Sequence, residues 1–440
     1  MRRSPFRAPA TVPAADRLEP LGTADLTMLA SDCGPAPMHL AAVLLVDGAD
    51  DGTSAVPDAF VTRAARVPRL TQVLVGPHRR PAWWHDPGAD PAAHLTTRRL
   101  PGGGEQAVLD DAASLVCTSL DPGRPLWAAR WLTGWDASPA RRGALVVVLH
   151  HVLVDGVGGL GVLAELADPD DAADQPVRPA APGSPAGTPH GPRAWLHGLL
   201  ELGLGATLPV PAARTSLNRP TGPRRRIRTV RVPLAEFHDG AHRHGGSVND
   251  AMVAAVVGAL TQLLAARGEH PRRLVVSVPV TSRPAGDRRA GNDNGVIPVG
   301  VPAPLDREPR VRHVAAATAR RKARPRGRSA LPLSAAFRAL AAAGLFRAFI
   351  EHQRMVHTFE TNIRGPVKRL HVAGHPVSAV VPVAVSPGNV AVSFAVLSYA
   401  GELTVTAVTD PDLVPDDEAL VAFLAAELDA FVQVTAQIRA

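Results

Sequence analysis

Aromatic side chains are scarce: they make up 4% of the 440 residues, and Tyr399 is the sole tyrosine. Ring platforms for single-stranded nucleic acid need several exposed aromatics, so that class is disfavoured, and the core must be built mainly from Ala, Val and Leu. Cysteine is nearly absent as well. Cys33 and Cys117 alone make neither a disulfide framework nor a four-cysteine metal site, and such sparse usage fits an intracellular location. Lysine is limited to Lys322 and Lys368, so the formal charge of +7 rests on arginine, a cation suited to planar and phosphate-bearing anions. The arginines are spread over several segments, with one dense run at Arg310 to Arg328, rather than gathered on one recognisable module; no nucleic-acid partner is expected. Long apolar runs are missing too. Met252 to Ala266 falls short of the about 20 helical residues that span a bilayer, and Val377 to Leu397 is broken by Pro, Asn and Gly. The basic opening MRRSPFR leads into no apolar stretch, so a secretory leader is not expected.

What is present is ordinary globular composition, 46% hydrophobic and 20% charged, in a chain long enough for two domains. Met38 to Asp47 and Gly143 to Leu149 are compact apolar runs bounded by turn residues, which predicts buried strands, with helices over Val56 to Ala65 and Gln106 to Ser119 between them. Asp168 to Arg193 is rich in Pro, Gly, Ala and Asp and reads as a linker. Beyond it, strands are predicted at Ile227 to Val232, Leu274 to Val280, Val377 to Val385, Val390 to Leu397 and Glu402 to Thr409. Helices are predicted from a start at Ser247-Val248-Asn249-Asp250 to about Ala266, with Gly268 near the C-terminus, and from about Pro415 to Val432. The expected division is an α/β domain over 1–167, a linker or crossover over 168–215 and a second α/β domain over 216–440.

The sharpest motif follows the run ending at Leu149: His150-His151-Val152-Leu153-Val154-Asp155-Gly156, an HHxxxDG pattern that continues into Gly158 and Gly159. A strand thus delivers two histidines into a glycine-rich loop, where a rigid element aims catalytic groups and the backbone can approach a ligand closely. A histidine held in one tautomer can take a proton from a hydroxyl or thiol at neutral pH. One of the pair is the expected base, and Asp155 is placed to fix the loop by bonding backbone amides or an arginine. A metal site at His150, His151 and Asp155 lacks a further ligand motif elsewhere. A serine hydrolase lacks its G-x-S-x-G elbow, and a purely structural pair of histidines is the remaining alternative.

The HHxxxDG stretch resembles the active-site signature of the CoA-dependent acyltransferase superfamily: chloramphenicol acetyltransferase, nonribosomal peptide condensation domains and bacterial wax ester synthase/diacylglycerol acyltransferases. The flanks resemble the last group. Leu18 to Asp25 with Pro37-Met38-His39, Leu120 to Trp127, Leu217-Asn218-Arg219-Pro220, Gly245 to Asp250, Val278-Pro279-Val280, Gly291-Asn292, Thr361 to Pro366 and Leu397 to Gly401 fall in that family's order. The resemblance implies two chloramphenicol-acetyltransferase-like α/β domains, with mixed sheets flanked by helices, meeting at a tunnel. It implies His151 as general base, with His150, Asp155 and Gly156 completing the motif. Asn249 is implied as oxyanion donor, although a helix-capping role competes for it. Substrate contacts are implied for Pro125, Leu126, Trp127, Asp250, Asn292 and Asn362, core packing being the competing role for Leu126 and Trp127. Arg283 is the expected partner of Asp155. Acyl-CoA would be the co-substrate, with no further cofactor and no metal, and diacylglycerol or a fatty alcohol the acceptor; the alternatives are a related HHxxxDG acyltransferase for a specialised metabolite or sugar and a catalytically silent lipid-droplet binding protein. Two positions depart from the family: Ala128 stands where an acidic residue usually follows the PLW block, and Gly291-Asn292-Asp293-Asn294-Gly295 replaces a GNRVS-like block.

The Arg310 to Arg328 run precedes a stretch, Leu331 to Ile350, whose spacing of Leu333, Phe337, Leu340, Leu345, Phe346 and Phe349 predicts an amphipathic helix. Three roles compete for this region: peripheral attachment to the inner membrane face or a lipid droplet, core packing, and capture of the CoA phosphates.

Overall fold

The computed structural model describes residues 18–50, 54–76, 81–172, 211–281, 292, 294–322, 337 and 339–439. Among the described residues, seven strands precede the region of the linker: β1 (Leu18–Pro20), β2 (His39–Val46), β3 (Gln72–Val75), β4 (Ala82–His85), β5 (Leu95–Arg99), β6 (Trp127–Thr133) and β7 (Gly143–His150). Eight follow it: β8 (Arg226–Pro233), β9 (Arg273–Thr281), β10 (Asn294–Pro302), β11 (Thr358–Arg364), β12 (His371–Val372), β13 (His375–Val383), β14 (Val392–Tyr399) and β15 (Glu402–Thr409). They form two six-stranded mixed sheets, in the orders β12-β13-β2-β7-β6-β5 and β10-β9-β11-β14-β15-β8, with β1, β4 and β3 as a small third sheet.

The continuous apolar runs at β2 and β7 have a physical reason. Every residue of β7 is buried; Leu145, Val147 and Leu149 enter a core shared with the Val56–Ala64 and Gly156–Leu166 helices, while Ala144, Val146 and Val148 enter another shared with the Gly104–Val116 helix. A strand covered on both faces has no polar side to show. In the second half, the Val248–Ala266 helix lies at the centre of a core with the Leu234–Arg243 and Asp417–Arg439 helices. It is the one described helix long and apolar enough to cross a membrane, yet 72% of it is buried inside the protein, which marks it as a core helix.

The expected boundaries divide the chain but not the sheets. β12 and β13 come from the second half and pair with the first sheet, β13 lying antiparallel to β2. Tyr399, at the end of β14, ties this crossing: its hydroxyl accepts from Leu370 N and donates to the Val377 carbonyl, both at 2.8 Å. Most of the expected linker lies outside the described residues. The predicted helix over Leu331 to Ile350 is corrected where it can be seen. Gly344, at φ +72°, interrupts it, a short helix runs over Phe346–Glu351, and Phe337, Phe346 and Phe349 pack on one another. The basic run is corrected at its start, since Arg310 is buried and bonds Glu427 at 2.6 Å.

Candidate active site

β7 ends at His150, and the chain turns at once toward the Gly156–Leu166 helix. Backbone bonds fix that turn: His150 N donates to the Leu126 carbonyl at 3.0 Å, His151 N to the Met38 carbonyl at 2.8 Å and Leu153 N to the His150 carbonyl at 2.9 Å. Asp155 is fully buried and caps the helix, its Oδ1 accepting from Gly158 N at 2.8 Å. This is the loop-fixing use of an Asp before a helix. Arg283, its expected partner, lies outside the described residues. Gly156 is one place where the two halves touch. A Cβ there would lie 2.5 Å from Ile363 Cδ1 of β11, so only glycine lets the helix start approach this strand without displacing Ile363.

The adjacent histidines differ in their side chains. His150 is buried, its Nδ1 accepts from Val152 N at 3.0 Å, and its Nε2 therefore carries the hydrogen and donates to Asp32 Oδ2 at 3.0 Å. Burial of the Asp32 carboxyl is outweighed by His150 and by the Met38 amide, which hold it below the usual carboxylate range. Both nitrogens of His150 are committed, so in this geometry the ring ties the loop to Asp32 and to the Val152 amide. His151 donates from Nδ1 to Asn292 Oδ1 at 2.9 Å and keeps Nε2 without a hydrogen-bond partner among the described residues. Burial pushes the His151 ring below the ordinary histidine value; its own carbonyl, Asp155 and Asn292 oppose this without reversing it. A neutral ring with one nitrogen anchored and the other open can accept a proton.

Other expected contacts fall elsewhere. Asn292, predicted to touch substrate, spends its amide on protein: the oxygen on His151 Nδ1, and Nδ2 on the His151 carbonyl and Asp25 Oδ1, both at 2.8 Å. Asp250 is likewise committed, as its carboxylate accepts from Ser247 Oγ at 2.6 Å, Ser247 N at 3.0 Å and Thr318 Oγ1 at 2.8 Å. Pro125, Leu126 and Trp127 are buried; the Trp127 indole donates to the Leu70 carbonyl at 2.8 Å and stacks on His94 with ring centroids 4.5 Å apart. These three build the wall behind β7 and the His150 turn.

Asn249 is not the cap of its helix. Ser247 is, accepting from Asp250 N, and Asn249 stands half-buried in the first turn. The helix returns through Gly268 directly into β9, so its start lies at the end of the sheet where β9 and β11 finish. Ile363, against Gly156, is at that same end. Alternation along β11 puts Thr361 and Ile363 on the face toward Gly156 and Asn362 on the other, with Thr358 and Glu360. No hydrogen bond joins Asn249 or Asn362 to the His151 loop among the described residues. Beside the loop, Met38, His39, Val116, Cys117, Arg225 and Ser386 line a small cavity between the two halves.

Residues 21–204 and 202–252 match the wax ester synthase/diacylglycerol acyltransferase catalytic domain, and residues 290–431 match the C-terminal domain of the same family. The chain belongs to this family. A probable diacylglycerol O-acyltransferase of Mycobacterium tuberculosis is 29% identical over 367 residues, covering 76% of this chain and 78% of the relative. A second M. tuberculosis protein named as a diacylglycerol O-acyltransferase is 26% identical over 397 residues, covering 87% and 84%. Among solved structures, the wax ester synthase/diacylglycerol acyltransferase of Marinobacter aquaeolei VT8 superposes with a TM-score of 0.70 at 21% identity, over 95% of this chain and all of that one. A starter condensation domain of rhizomide synthetase in complex with C8-CoA superposes at 0.63 with 16% identity, over 96% and 95%. The α/β fold of two chloramphenicol-acetyltransferase-like units is thus the one expected. As a wax ester synthase/diacylglycerol acyltransferase, the protein is an acyl-CoA-dependent O-acyltransferase.

Proposed function

We propose that the protein moves a long-chain acyl group from acyl-CoA to the free hydroxyl of diacylglycerol, giving triacylglycerol, with His151 as general base. The observation that carries this reading is the neutral His151 ring, tied at Nδ1 and open at Nε2, where the two halves of the chain meet. Nε2 takes the acceptor's proton, the oxygen attacks the thioester carbonyl carbon, and a tetrahedral oxyanion forms. As the C–S bond breaks, the same proton passes to the CoA thiolate. No acyl-enzyme and no further cofactor or metal are needed. Asn249, whose amide makes no hydrogen bond among the described residues, is the donor we assign to the oxyanion. Diacylglycerol is favoured by the names of the M. tuberculosis relatives. A fatty alcohol giving a wax ester is the second acceptor, favoured by the Marinobacter structure.

Both acceptors partition into lipid, and we assign the lipid-facing surface to the region of the Phe346–Glu351 helix. There Leu345 is 56% and Met355 38% exposed, downstream of the arginine run. The protein then works at the cytoplasmic membrane face or a lipid droplet.

The test is thiol release from palmitoyl-CoA by wild type and His151→Ala, with diacylglycerol, hexadecanol or no acceptor, products identified by mass. Acceptor-dependent release that vanishes in the variant supports the base assignment, and the better acceptor names the product. Turnover with neither acceptor overturns the lipid assignment.

A further inference from the structure

Asp25 lies in the first turn of the Thr23–Ser31 helix, far in sequence from both the motif and the second half. Its Oδ2 accepts from Gly22 N at 3.2 Å, and its Oδ1 accepts two N–H groups of Asn292, the backbone N at 2.9 Å and Nδ2 at 2.8 Å. The other Nδ2 hydrogen goes to the His151 carbonyl at 2.8 Å. Both of these partners can only accept, so they settle which end of the Asn292 amide is nitrogen. Its oxygen is then the atom 2.9 Å from His151 Nδ1, and an amide oxygen can only accept, so the ring hydrogen is on Nδ1 and the lone pair on Nε2. Each link dictates the next.

We propose that Asp25 is a positioning residue for acyl transfer: its carboxylate, acting through Asn292, holds His151 in the tautomer that leaves Nε2 open and steadies the positive charge the ring gains on taking the acceptor's proton. This rests on His151 being the base. The logic is that of an acid orienting a catalytic histidine, with an amide inserted between the two. Burial is the largest influence and raises the Asp25 carboxyl above its ordinary value; the three N–H groups that point at it, two from Asn292 and one from Gly22, and the nearby Arg69, which itself bonds Glu19, favour the ionised form and oppose burial without reversing it. Among the described residues, the charged groups that act on His151 are Asp155 and His150. Asp25 and His151 belong to the first half of the chain and Asn292 to the second. The base is therefore set in its working tautomer only while the two halves are latched at Asn292.

The experiment measures kcat, KM for palmitoyl-CoA and the pH profile, with diolein as acceptor, for wild type, Asp25→Asn, Asn292→Ala and the double variant. Asp25→Asn is expected to lower kcat on the order of 10–100-fold with KM little changed, the range in which loss of an orienting partner is felt. The acidic limb of the profile should move to lower pH, because the imidazolium loses its distant carboxylate. Asn292→Ala should cost a similar factor, and the double variant should be no worse than the poorer single one, since both cut one relay. Asp25→Glu, which keeps the charge, should recover part of the loss. Full kcat and an unmoved limb in Asp25→Asn overturn the proposal, as do losses that multiply in the double variant. If Asp25→Asn shows no cooperative melt, Asn292→Ala and Asn292→Ser carry the comparison. An active His151→Ala would overturn the base assignment itself, whereas an inactive His151→Ala beside a fully active Asp25→Asn overturns only the relay.

Discussion

His150 and His151 are neighbours in sequence and opposites in environment, and the difference lies in what each ring nitrogen meets. The HHxxxDG pattern made the pair legible and the family resemblance singled out His151, but neither showed what holds each ring. Their deciding partners are Asp32 and Asn292, 118 and 141 residues away along the chain. Asp25 and Asn292 stood among the residues that carry the family resemblance, yet the role of an Asn between an acid and a ring appears only when the three are brought together. The environment of His151 also sets a pH dependence. A base must be neutral, burial holds this ring below 6.5, and activity is lost only once pH falls through the lowered value. The acidic limb of kcat/KM should therefore have its midpoint below 6.5, with full activity at pH 7. A midpoint at or above 6.5, measured with saturating acceptor, would show that Nε2 is better solvated than the structure has it.

At the scale of single elements, β11 is the strand through which the second half meets the motif. The methyl that Gly156→Ala adds would meet the tip of Ile363, a flexible side chain end rather than backbone. The fold should survive at a cost of about 1–2 kcal/mol, within the range for overpacking, while the displaced helix start lowers kcat. Removing the offending atom should undo this: Gly156→Ala/Ile363→Val is expected to recover most of the kcat lost in Gly156→Ala, and no recovery would mean that the glycine serves backbone geometry instead. β11 also carries Glu360, fully buried, with neither oxygen hydrogen-bonded among the described residues. Burial pushes its carboxyl up to about 8 from 4.5. It is protonated in the folded state and ionised in the unfolded one across that interval, so its contribution to stability is present below pH 4.5 and lost as pH rises through about 8. Glu360→Gln should match wild type near pH 4.5 and exceed it at pH 8.5 by on the order of 2–4 kcal/mol in denaturant unfolding. Parallel curves would place the pH slope elsewhere. This strand was not foreseen: Thr358-Phe359-Glu360-Thr361-Asn362-Ile363-Arg364 carries too few apolar residues to show a strand period. β2, β7 and the Val248–Ala266 helix, largely buried, announced themselves through long apolar runs.

At the scale of the whole molecule, reading the chain as two successive domains misses how they are joined. Composition marks the stretch after Asp168 as a break, but pairing between distant strands leaves no local trace, and the edge of the first sheet is supplied from the far side of that break. β13 covers the open edge of β2, and Val377, Val380 and Val372 enter the same core as Leu44, Leu145 and Val147. Without them β2 would present a long apolar edge to solvent, a template for aggregation rather than a stable sheet. The fragment 1–172 made alone is accordingly expected to aggregate or to show no cooperative melt. Made together with 211–440, it should co-purify as a complex that melts in one transition, because the second piece then supplies β12 and β13 to the first sheet and the Tyr399 bonds can form. A soluble 1–172 fragment with its own sharp melting transition would mean that β2 tolerates an open edge. The latch at Asn292 would then have to hold the halves together with far less help from the shared sheet.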